Sequence, residues 1–167
     1  MEIVRIFADN LFAFQYEDEV DNEYDRLMEL WTDISFLKEY AEKNEIKGIW
    51  SFVNNIVRDA EQIQDFIEDL SQNEEPYEFY FEPLQLSEHN KLLSLQKGKI
   101  RKNKLRYYAV KLDENCFVIT GGAIKMSQKM QEHPDTDNEL LKLRKAKEYL
   151  RENGVFDTDS FYELLNE

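Results

Sequence analysis

Only one cysteine, Cys116, occurs in the 167 residues. A lone thiol excludes an intrachain disulfide and suits a reducing compartment. Its surroundings, Cys116-Phe-Val-Ile-Thr120, are those of an apolar strand, where a cysteine reads as buried filler rather than a nucleophile. Five glycines and three prolines leave few stretches of linker composition. The two histidines, His89 and His133, stand apart, with no cysteine or second histidine at metal-ligand spacing. No apolar run approaches the ~18 residues of a membrane helix. The start, Met1-Glu-Ile-Val-Arg-Ile-Phe7, lacks the basic and apolar regions of a secretion signal. A soluble, cytoplasmic chain is therefore expected. Phosphate-cradling glycine loops, G-x-S-x-G and H-E-x-x-H are all missing. Asp135-x-Asp137-x-Glu139 has the acids of a calcium loop, but Leu140 stands where glycine is needed and no closing acid follows. No metal and no cofactor is expected.

What the chain does have is apolar mass and a segregated charge. Hydrophobic residues make up 42% and aromatic residues 13%, enough for one core despite 34% charged residues. A single domain over 1–167 is expected, because a chain of this size can bury about 70% of its unfolded surface. Residues 1–90 hold 23 acids and six bases, whereas Lys91 to Lys111 holds eight bases and no acid. A basic strip of this kind, running directly into Leu105-Arg-Tyr-Tyr-Ala-Val-Lys-Leu112, points to an anionic partner held on a strand.

The periodicity predicts an α+β fold. Ile3–Ala8 and Leu11–Tyr16 read as a hairpin around Asp9-Asn10. Tyr24, Leu27, Met28, Trp31, Ile34, Leu37 and Ala41 give one helix over 22–44. Phe52, Ile56, Ala60, Ile63, Ile67 and Leu70 give a second over 51–70, opened by Ser51. Trp31 and Trp50 are expected as core or helix-packing residues rather than a base-stacking platform. Tyr77–Phe81 reads as a short strand closed by Pro83, and 87–97 as an ambiguous stretch with a helical turn. Leu105–Leu112 and Cys116–Thr120 are the clearest strands, joined by Asp113-Glu-Asn115, and Gly121-Gly122 bulges or ends the second. Thr136-Asp-Asn-Glu139 has the form of a capping box, opening a helix that stops at Asn153-Gly154. A last helix over 158–165 docks through Phe161 and Leu164. The 91–130 stretch thus carries the basic strip and core strands, between an acidic half at 1–90 and C-terminal helices at 136–167.

Pro83-Leu84, Leu105-Arg106-Tyr107-Tyr108, Asp113-Glu-Asn115, Phe117-Val-Ile-Thr120 and Gly121-Gly-Ala-Ile-Lys125 follow one another in a familiar order. From Phe81 to Lys129 the chain resembles the RelE/ParE superfamily of bacterial toxin–antitoxin toxins, nearest its RelE and HigB-like ribonuclease branch. The resemblance implies a helical hairpin packed on a small, mostly antiparallel sheet, and a metal-independent messenger-RNA endoribonuclease, ribosome-dependent or free. It implies an antitoxin partner of helix-turn-helix type, RNA or the ribosome as target, and no membrane. Arg106 matches the family's phosphate-contacting arginine and Lys125 the basic residue after the next strand. Lys97, Lys99, Arg101, Lys102 and Lys104 occupy the region of its other basic residues, with Tyr108 beside them as an RNA contact. The family's late tyrosine has no counterpart, which leaves His133 as the candidate general acid.

The residue chemistry fits that expectation. Attack of a 2′-hydroxyl on the adjacent phosphate needs a base, positive charge around the phosphorane and a proton for the leaving oxygen, and clustered Lys and Arg supply the charge. An arginine fork grips two oxygens and stays charged. Alternation puts Arg106 on the face of Val110 and Leu112, where pairing with a helix acid is the competing role. Two other functions stay open: a catalytically inactive binding module of the same fold, and a ParE-like gyrase inhibitor.

Overall fold

The computed structural model describes residues 1–7, 10–85, 93–113, 115–126 and 134–166. Among the described residues six strands form one mixed sheet: β1 (Glu2–Arg5), β2 (Leu11–Gln15), β3 (Phe81–Pro83), β4 (Ser94–Gly98), β5 (Leu105–Asp113) and β6 (Cys116–Ile124). Their spatial order is β1-β2-β6-β5-β4-β3. Five α-helices among the same residues accompany them: α1 (Glu23–Trp31), α2 (Ile34–Lys43), α3 (Ile49–Gln72), α4 (Pro134–Glu152) and α5 (Thr158–Leu165). The chain is α+β, as expected.

Alternation along the strands separates two apolar layers. Leu105, Tyr107, Ala109, Phe117 and Ile119 pack with α1, α2 and α3 on one side of the sheet. Tyr108, Val110, Leu112, Cys116 and Val118 pack with α4 and α5 on the other. Cys116 is buried, and burial pushes its thiol up to about 12, as an inert core cysteine requires. Arg106 and Ile119 lie in the same sheet, on paired strands.

The sheet is mostly antiparallel, as expected: β1–β2, β3–β4, β4–β5 and β5–β6 are antiparallel, and β2 pairs with β6 in parallel, Leu11 opposite Phe117. Other expectations are corrected. The single helix over 22–44 is two. Thr32 donates its hydroxyl to the Met28 carbonyl (2.8 Å), and the Asp33 side chain accepts from Phe36 N (3.2 Å) as the cap of α2. Both residues compete with the helical backbone for hydrogen bonds, so the helix ends and restarts. The next helix opens two residues before Ser51, after Gly48 in the left-handed region (φ +69°). Tyr77–Phe79 is a 3-10 turn, and Pro83 lies within β3 rather than after it. An edge strand tolerates the missing donor. The stretch 94–98, expected within an ambiguous segment with a helical turn, is β4. Of the remainder of that segment, 87–92 lies outside the described residues.

The glycine pair does not end β6, which runs on to Ile124 with a register shift opposite Tyr108 and Ala109. Thr136 is not the cap of α4, because that helix begins at Pro134. The capping box belongs instead to α5, where Asp157 and Ser160 bond reciprocally. Trp31 is buried as expected, whereas Trp50 is 58% exposed with Lys38 Nζ 5.8 Å above its ring. No described helix is long and apolar enough to cross a membrane.

Candidate phosphate-binding face and a charged cleft

The basic residues gather at the end of the sheet where β4 and β5 meet. Ile100 accepts from Asn103 N (3.0 Å) across a turn whose third residue, Lys102, has φ +67°. That turn is pinned to α3 through Asn103, which is only 2% exposed. Its Nδ2 donates to the Asp59 carbonyl and to Gln62 Oε1, both at 2.9 Å, and its Oδ1 accepts from Leu105 N at 2.9 Å. Lys104 N adds a bond to Asp59 Oδ2 (3.0 Å). One buried amide therefore presents Arg101, Lys102 and Lys104 to solvent.

Arg106 sits at the mouth of this turn, half buried. Its Nη1 donates to the carbonyls of Asn103 (2.5 Å) and Leu105 (2.9 Å). Among the described residues no carboxylate lies within ion-pair distance of it, so the alternative of an acid from a helix is not realised there. Burial lowers the guanidinium's pKa below its ordinary value, with Tyr108 and Tyr80 the leading opposing influences. Anchoring Nη1 leaves the Nε–Nη2 edge, the pair of donors suited to two oxygens of one phosphate.

Lys97 stands opposite Tyr108 in the β4–β5 ladder and therefore on the same side of the sheet. Tyr108 itself is 2% exposed, and burial raises its hydroxyl to about 12. Its ring belongs to the core and is no stacking platform, which corrects its expected role as an RNA contact. Lys97 and Lys99 both approach Glu82 Oε1, at 4.0 and 3.7 Å. Lys111 pairs with Glu78 at 3.3 Å and, by alternation with Val110 and Leu112, lies on the α1–α3 side. Lys125 follows β6, its amide bonded to the Lys104 carbonyl at 2.7 Å. His133, expected as general acid, lies outside the described residues. The structure thus brings Lys97, Lys99, Arg101, Lys102, Lys104, Arg106 and Lys125 to one end of the sheet.

A second constellation went unread in the sequence. A cleft of about 850 Å3 opens between α1, α2, the end of β6 and α4, lined by Trp31, Phe36 and Tyr40 together with Arg26, Glu139 and Lys142. Arg26 and Lys142 share a partner, Glu23, whose side chain has no exposed surface. It accepts from Arg26 Nε (2.5 Å) and Nη2 (2.9 Å), and from Lys142 Nζ. Glu139 Oε1 accepts a long bond from Gly122 N (3.4 Å), while its buried Oε2 has no hydrogen-bond donor among the described residues and lies 3.6 Å from Lys142 Nζ. Burial raises the Glu139 pKa above the ordinary carboxylate value, and Lys142 opposes this. Gly121 makes the approach possible: a Cβ there would stand 2.5 Å from Glu139 Oε2. The glycine pair was the one available signal, since Glu23/Arg26 and Glu139/Lys142 each read as ordinary i,i+3 pairs on a helix surface. No protein-family model matches the chain, and no curated protein and no solved structure matches it either.

Proposed function

We propose that this protein is a toxin of the RelE/ParE kind that cuts messenger RNA, on the ribosome or free, without a metal, and is restrained by a protein antitoxin. The observation that carries the reading is Arg106. One end of its fork is fixed by two carbonyls, the other is left for an anion, and Lys97, Lys104 and Lys125 lie at the same end of the sheet. In this reading Arg106 clamps the scissile phosphate as its negative charge grows. Lys97, Lys99 and Lys125 hold the flanking backbone, and Arg101, Lys102 and Lys104 draw the polyanion in. A lysine of this crowded set takes the proton of the attacking 2′-hydroxyl, and His133 gives one to the leaving 5′-oxygen.

A second reading, an inactive binding module, gains support from Glu82, which neutralises two of the lysines. Translation-coupled cleavage of a defined messenger, with excess chelator and matched folded protein, separates the two. Arg106→Ala should lower cutting about 10²–10³-fold. Arg106→Lys should restore little, because an ammonium lacks the fork. Cutting undiminished in Arg106→Ala, or none by the unaltered protein, sinks the ribonuclease reading. For the antitoxin, charge reversal at Lys99, Arg101 and Lys102 together should weaken the complex and its salt sensitivity. Unchanged copurification across a salt series would place the interface elsewhere.

A further inference from the structure

We propose that Glu82 is a built-in competitor for phosphate, which makes the basic face select a run of linked phosphates over isolated anions. The inference rests on the polyanion reading above and concerns the same face. Glu82 is the cross-strand neighbour of Lys97, and its Oε1 reaches both Lys97 and Lys99. Its side chain is about half exposed, 49%, so the contacts can exchange with solvent and with ligand. Its negative charge also reaches Arg106. By contrast Arg101, Lys102 and Lys104 are exposed, and among the described residues none lies within ion-pair distance of a carboxylate.

The consequence follows from counting contacts. An isolated phosphate at Lys97 and Lys99 must displace a carboxylate that already occupies them, one anion replacing another. A polynucleotide can seat instead on Arg101, Lys102, Lys104 and Arg106 and leave Glu82 in place, so its penalty is capped at the two contacts it forgoes. Glu82 thus lowers affinity for all anions, and by the larger factor for a small one bound at Lys97 and Lys99.

The test uses the full chain, its Glu82→Gln variant, and Glu78→Gln as a control of equal charge change on the other side of the sheet. Binding of a labelled single-stranded RNA and of inorganic polyphosphate is followed across a salt series, and inorganic phosphate is titrated as competitor. Glu82→Gln should tighten binding of both polyanions about three- to tenfold, the scale of two exposed ion pairs. It should steepen the salt dependence by about 0.7 for each lysine released to a phosphate. Inorganic phosphate should gain by a larger factor than either polyanion, so that its competing concentration falls more than the polyanion dissociation constants do, and an equal gain would overturn the selectivity. Glu78→Gln should leave all three within about twofold, as expected for a charge far from the contacts. Equal behaviour of the two variants, or no tightening in Glu82→Gln, overturns the inference. If RNA does not bind but Glu82→Gln still tightens polyphosphate, the inference stands and the ribonuclease reading falls. Binding of neither polyanion to either protein overturns both.

Discussion

Glu23 of α1 and Lys142 of α4 form an ion pair across the edge of the sheet, joining side chains 119 residues apart from helices on opposite faces. Arg26 shares the same carboxylate, so the fully buried Glu23 compensates two cations whose own side chains stay about a quarter exposed, 24% and 27%. Glu23→Ala should destabilise the fold by about 2–3 kcal/mol, because it removes the buried acceptor of two partly desolvated charges. Urea denaturation reads this directly, and a loss below about 1 kcal/mol, the scale of a surface ion pair, would show that the site is wetter than its burial implies.

Glu139 makes stability pH-dependent. Its folded pKa is raised, chiefly by burial, from an ordinary value of 4.5, so the folded chain binds the proton more tightly than the unfolded chain. The contribution is complete below the ordinary value and is lost as pH rises through the folded pKa. Glu139→Gln removes the titration. The urea midpoint of the variant should therefore gain on that of the unaltered protein between about pH 4.5 and pH 7. A constant difference across that range would exclude this role for Glu139.

The two central glycines should respond differently to a methyl group. At Gly121 the obstacle is the Glu139 carboxylate, at Gly122 the Arg106 carbonyl oxygen, 2.6 Å from a Cβ. Each Ala substitution should cost about 1–3 kcal/mol. Glu139→Ala should relieve most of the Gly121→Ala penalty and none of the Gly122→Ala penalty. A double-mutant cycle with no coupling between positions 121 and 139 would refute the assignment.

Asn103 predicts a link between stability and binding. Asn103→Ala breaks three hydrogen bonds of a buried amide and should cost about 2–4 kcal/mol. Because the same amide sets the path of the basic turn, polyanion binding should weaken even under conditions where the variant is fully folded. Asn103→Ala that loses stability but keeps full affinity would separate the clamp from the binding face.

The parts of this fold legible in the sequence are those whose burial is local and regular. The apolar alternation of β5 and β6 and the stripe of α3 were each plain. The break between α1 and α2 was not, because Trp31, Ile34 and Leu37 keep helical spacing straight across it. Ile34 is nonetheless exposed, and Thr32 and Asp33 end the helix through polar contacts that periodicity does not register. β4 was hidden by its composition, Ser94-Leu-Gln-Lys-Gly98, which has no β-branched residue. At the candidate site, the basic cluster showed itself by charge alone. Its anchor, Asn103, and its counter-charge, Glu82, depend on which elements become neighbours, and no local pattern encodes that. The competing demand on Arg106 was visible as a possibility, but the partners turned out to be carbonyls rather than an acid.

The parallel pairing of β2 with β6 has a consequence for how the chain comes into being. β2, Leu11-Phe-Ala-Phe-Gln15, is nearly all buried, yet its partner begins only at Cys116. During synthesis at ~5–20 residues per second, the first hairpin therefore waits several seconds with an apolar strand unpaired on one edge. The acids of residues 17–25, immediately behind it, place like charge on every such nascent edge and oppose pairing between neighbouring chains. Neutralising Glu17, Asp18 and Glu19 should lower the soluble yield from translation far more than it lowers the equilibrium stability of the finished protein.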